Sequence, residues 1–92
     1  MNDNNLEYIK HNRVRLEEGS QKKVTEIFKE FFEDIKGIVK GLKEYIILEN
    51  IEIDRETIVL TFWKTIEDSE KFYSKDNDIL FNLVEKGKPM FV

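Results

Sequence analysis

An amide, an indole and a phenol are the side chains of this chain best suited to acting on a small molecule. Asn12 lies in the segment Tyr8-Ile-Lys-His-Asn-Arg-Val-Arg-Leu16, Trp63 ends the apolar run Thr57-Ile-Val-Leu-Thr-Phe-Trp63, and Tyr73 follows beside Phe72. An amide and a phenol donate and accept hydrogen bonds, an indole N–H only donates, and both rings stack against flat apolar molecules. Such a set would position an electron-rich ring; it contains no conventional general base. Other chemistry finds few bearers. There is no Cys and one His, so thiolate, disulfide and structural zinc sites lack their ligands. No glycine-rich phosphate loop, nucleophile elbow or paired-carboxylate arrangement stands out.

Asn12 stands on a strand face with Tyr8, Val14 and Leu16, where an amide must find a hydrogen bond or cost about 1–3 kcal/mol. The opposite face carries Ile9, His11, Arg13 and Arg15, a basic set able to pair with acids across an interface. After Glu17-Glu18-Gly19, Ser20 is an expected helix N-cap, and Val24, Ile27, Phe28, Phe31, Ile35, Ile38 and Val39 recur at spacings of three and four. That stripe predicts a helix over about 20–39, stopped at Gly41. Residues 42–53 and 58–63 then read apolar on both parities, with Leu42, Ile46 and Leu48 on one face and Tyr45, Ile47 and Ile51 on the other. Asp54-Arg-Glu56 is the expected hairpin connection. Thr65-Ile-Glu-Asp68 matches a helix start, Ser74–Asp78 interrupts the helix, and Gly87 ends its second part. Pro89-Met-Phe-Val92 leaves room for a stub of a fourth strand, and residues 1–5 are expected to fray.

Ninety-two residues make one small domain, with 40% apolar and 37% charged residues and a net charge of −4. The charges are interspersed and no basic run forms, so neither a nucleic-acid face nor a disordered tail is expected. No stretch is long and apolar enough for a membrane span, and residues 1–5 do not resemble a secretion signal, so a cytoplasmic location is the expectation. Strands apolar on both faces need cover on both faces. One layer of helices covers one side only, and the other side calls for a second copy of the chain.

Two blocks resemble the antibiotic-biosynthesis-monooxygenase superfamily. Asn12-Arg-Val-Arg-Leu-Glu-Glu-Gly-Ser20 looks like the first strand and helix start of its haem-degrading branch. Ile58-Val-Leu-Thr-Phe-Trp-Lys-Thr65, followed by Glu67-Asp68 and Phe72, looks like the third strand and the helix after it. The order of elements fits over residues 7–92. The resemblance implies an α+β, ferredoxin-like βαββαβ domain with a four-stranded antiparallel sheet, closing as a homodimer into an α+β barrel. It implies a small-molecule pocket between sheet and helices. In that family some members oxidise aromatic polyketides with O2 and no added cofactor, and others bind and cleave haem. The haem-degrading branch uses an Asn, a helix Trp and an iron-ligating His; here those positions hold Asn12, Phe72 and Asn82.

The expected site therefore has Asn12 and Trp63 as its catalytic pair and Phe72, Tyr73 and Asn82 as ligand-binding residues, with no metal. The expected function is cofactor-independent monooxygenation of a small aromatic or quinone-like substrate. The alternative is a non-catalytic dimeric binding protein for haem or another flat hydrophobic ligand.

Overall fold

The computed structural model describes residues 7–92. The expectation for residues 1–5 lies outside them. Strand β1 (Tyr8–Arg15) leads to helix α1 (Gln21–Ile35), then strands β2 (Leu42–Glu49) and β3 (Glu56–Trp63), and helices α2 (Ile66–Phe72) and α3 (Asp78–Gly87). The three strands form one antiparallel sheet in the order β1-β3-β2.

Side chains alternate along a strand. Thr57, Val59, Thr61 and Trp63 of the central strand are all buried against the helices, while Ile58, Leu60 and Phe62 point to the other side. The register sets Asn12 opposite Val59, Val14 opposite Thr57 and Tyr8 opposite Trp63, so the amide-bearing face of β1 is the helix-facing one. On β2 the register slips between Leu42 and Glu44. This bulge corrects the parity read from the sequence: Leu42 is buried opposite Trp63 with the helix-facing set, and only Ile46 and Leu48 keep the other face.

Helix α1 is shorter than its apolar stripe. It ends at Ile35, Lys36 and Val39 make the last turn-like bonds, and Ile38 is left 75% exposed. The facing is also rotated from the expectation, with Phe32 buried and Phe31 only partly so. Ser20 holds the cap position, but its side chain makes no capping bond. Gly41 is where the chain turns into β2, at φ +82°; a Cβ there would lie 2.2 Å from the Asp68 carboxylate, so the close approach of α2 requires glycine. Tyr45 stacks on Phe32 and donates its hydroxyl to Glu33, tying β2 to α1.

Thr65 caps α2 as its motif predicts, with its hydroxyl accepting the Asp68 N–H at 3.0 Å. Asn77 splices the two short helices: its carbonyl accepts from Ile79 N–H and its amide donates to Phe72 O. The β2–β3 connection is longer than the expected three residues, because Asn50 folds the chain back on itself by accepting from the N–H groups of Glu52 and Ile53.

A fourth strand does not form among the described residues. Lys88–Met90 takes a 3-10 turn beginning beside Pro89, and only Phe91 bridges to Leu16, with Glu17 N–H donating to Met90 O and Val92 N–H to Arg15 O. The sheet is thus three-stranded, and β1 is its edge over Tyr8–Val14.

One buried hydroxyl is unmatched. Thr57 is fully buried and its Oγ1 has no hydrogen-bond partner. Valine has nearly the same shape without the polar atom. Thr57→Val should therefore raise stability by about 1 kcal/mol, read from the midpoint of urea denaturation at unchanged slope.

Candidate functional site

The helix-facing side of β1 does not meet the helices along its whole length. Between its residues 12–14 and α3 lies a cavity of about 260 Å³, floored by Phe28, Phe32 and Val59 and roofed by Leu80, Leu83 and Val84, with Phe91 at one end. These apolar side chains follow from the sequence locally: the α1 stripe supplies the two Phe, the α3 stripe supplies the aliphatic roof, and the 3-10 turn folds Phe91 back onto Phe28 with ring centroids 6.0 Å apart.

The polar lining is Asn12, Tyr73 and Arg13. Asn12 Nδ2 donates to the Tyr73 hydroxyl at 3.0 Å, and that hydroxyl lies 3.0 Å from Thr61 Oγ1. Behind them, Trp63 Nε1–H donates to the same Thr61 oxygen at 2.8 Å. The amide of the edge strand, the phenol that closes α2 and two residues of the central strand thus form one hydrogen-bonded row. Burial pushes the Tyr73 phenol above its ordinary value, opposed by the hydrogen bonds from Thr61 and Asn12, so it is protonated at neutral pH. Lys10 stands over the Tyr73 ring at 5.4 Å. Arg13 is mostly turned away, to Glu56, whose carboxylate is 3.4 Å from its Nε.

The residues expected from the sequence separate. Asn12 and Tyr73 meet at the cavity wall. Trp63 and Phe72 are fully or almost fully buried, pack on each other with centroids 5.4 Å apart and do not line the cavity. Asn82 is exposed and lies in a separate surface depression with Glu30, Asp34 and Lys86. His11 is on the far side of the sheet, opposite Leu60. Thr61 went unnoticed in the sequence because its strand reads as an uninterrupted apolar run. Its signal was a hydroxyl two residues before Trp63, on the same face of a buried strand.

The Asn12 contact is local and partly exposed. Because Tyr73 keeps Thr61, Asn12→Leu should cost at most about 0.5–1.5 kcal/mol in chemical denaturation. A loss above about 3 kcal/mol would mean that the amide is a core group.

Among the described residues no group of three or more His, Cys, Asp or Glu is placed to hold a metal ion, and no helix is long and apolar enough to cross a membrane. No protein-family model matches the chain and no curated protein matches it. Solved structures do share its fold. A provisionally named antibiotic biosynthesis monooxygenase from Nitrosomonas europaea superposes with a TM-score of 0.76 at 12% identity, over 94% of this chain and 80% of that one. A second of the same name from Chloroflexus aurantiacus gives 0.72 at 14% identity, over 95% and 83%. A third, from Bacteroides thetaiotaomicron, gives 0.70 at 10%, over 92% and 79%. The α+β, ferredoxin-like fold is thereby shared with proteins of this name.

Proposed function

We propose that this protein belongs with the antibiotic-biosynthesis-type monooxygenases, acting as a cytoplasmic homodimer on a small aromatic or quinone-like substrate without added cofactor. The observation that carries the reading is the cavity itself. Its walls are Phe, Leu and Val, and two of its polar groups, Asn12 and Tyr73, are joined at one place, which is how a site holds a flat ring in one orientation. The names of the proteins that share the fold point to the same class of chemistry. In this reading the ring lies against Phe28 and Phe32, Asn12 and Tyr73 hold its polar edge, and the ring, once deprotonated, reacts directly with O2.

One observation favours the second reading, a non-catalytic binder. Among the described residues no carboxylate or imidazole lines the cavity, so none of their side chains there is an ordinary general base. For haem, the lining residues offer one group of the kinds that ligate its iron, the Tyr73 phenol.

Anthrone separates the two. Its central methylene loses a proton readily, and monooxygenation consumes one O2 to give anthraquinone and water. The monooxygenase reading expects protein-dependent O2 uptake matched by anthraquinone, unaffected by catalase and abolished by heat denaturation. Saturable binding of anthrone with O2 uptake at the protein-free rate would establish the binder instead.

A further inference from the structure

The hydrogen-bonded row behind the cavity has a direction. The indole N–H of Trp63 can only donate, and it donates to Thr61 Oγ1. Thr61 is fully buried, and among the described residues its hydroxyl is bonded only to Trp63 and Tyr73. If Tyr73 were the donor between them, the Thr61 hydrogen would be left in the core with nothing to accept it, at the desolvation cost of an unmet hydroxyl. Thr61 is therefore the donor. Tyr73 Oη also accepts from Asn12 Nδ2, so both of its lone pairs are taken. The hydrogen of its own O–H is the one left over on that oxygen, and Tyr73 is on the cavity wall.

We propose that Thr61, anchored by Trp63, is a positioning residue that turns the Tyr73 O–H toward the cavity, so that the site selects rings bearing an acceptor oxygen, a ring ketone or quinone carbonyl, over bare rings of similar outline. This rests on the reading of the cavity as a ring-binding site. The remaining lining offers few competing donors: apart from Asn12, whose amide already donates to Tyr73, and Arg13, which is turned to Glu56, it is apolar. Burial keeps that phenol protonated, hence a donor, throughout the neutral range. Thr61 touches no ligand; its effect passes through Tyr73, and the donation it makes polarises the phenol it directs.

The test titrates 1,4-naphthoquinone and naphthalene into the full chain by calorimetry and records the infrared carbonyl stretch of the bound quinone. Tyr73→Phe should weaken the quinone by about 3- to 10-fold, the size of one net hydrogen bond, and leave naphthalene unchanged. The carbonyl stretch, lowered by the hydrogen bond in the parent protein, should rise. Thr61→Ser should preserve both readouts, and Thr61→Val should reduce the quinone preference at least about twofold, cooperative polarisation of the phenol being lost. The opposite polarity gives the opposite sign, since removing an acceptor would free the Tyr73 hydrogen and strengthen quinone binding. An unchanged or raised preference in Thr61→Val therefore overturns the proposal, as does equal weakening of both rings by Tyr73→Phe. If Thr61→Val fails to fold, Thr61→Val with Trp63→Phe removes both partners together and is read in the same way. Binding of neither ring by the parent protein overturns this proposal together with the ring-binding reading beneath it, whereas binding of both without preference overturns this one alone.

Discussion

In the homodimer proposed above, Leu60→Lys should leave the protein monomeric. Leu60 is at the middle of the sheet face that carries no helix, on the central strand between His11 of β1 and Ile46 of β2. Around it lie Ile9, Ile46 and Leu48, exposed by 59%, 40% and 44%, with Ile58 and Phe62 half-buried. A contiguous apolar surface of this kind is ordinarily an interface, and among the described residues nothing covers it. Face-to-face packing of two such sheets would form an isologous interface, so each substitution enters twice. An interface of about 2,000 Å² or more suits an obligate pair. Desolvating an unpaired ammonium costs several kcal/mol, and two of them should weaken association by at least about 10⁴-fold. Sedimentation at micromolar concentration reads the result. A parent protein that sediments as a folded monomer sinks the barrel arrangement, and a Leu60→Lys protein that stays dimeric moves the interface elsewhere.

The helix order was legible because it rests on patterns that survive small errors of register. Two-sided apolarity in residues 58–63 identifies a central strand whether or not each residue is placed correctly, and one of its faces lies against the helices. The finer placements failed where one local feature reset the period. The bulge between Leu42 and Glu44 moved Leu42 to the helix side, an event with no residue-type signature of its own. In α1, Phe31 and Phe32 are adjacent, so either could continue the stripe, and only the packing of Tyr45 on Phe32 decides which is buried. The expected fourth strand was read from an apolar stretch and from the resemblance, although Pro89 starts a 3-10 turn as readily as it permits an edge strand. At the site, Asn12 was visible as a polar residue on an apolar face. Tyr73 could be named but not placed, because which of Phe72 and Tyr73 turns into the core depends on where α2 ends, and Asn77 fixes that from five residues away by binding Phe72 O. Thr61 was hidden by its apolar neighbours.

Trp63→Ala should cost about 3–5 kcal/mol, the range for emptying a large aromatic from a core. The sequence suggests a catalytic indole at the end of a strand, but the structure gives the ring a full set of protein neighbours. It is wholly buried, lies against Phe72 and edge-on to Tyr73 at 5.4 and 6.2 Å, and spends its one donor on Thr61. A domain of this length has about 5–14 kcal/mol of stability in all, so the truncation removes a large share of it. Trp63→Phe keeps most of the ring volume and loses the N–H, and should cost distinctly less, with the difference between the two variants reporting packing. Urea denaturation of the three proteins at one concentration gives the comparison, held fixed because association adds to apparent stability. A Trp63→Ala protein within about 1 kcal/mol of the parent would mean that the ring is not packed as described. Its place would then be at the cavity, and turnover, not stability, would be the property it governs.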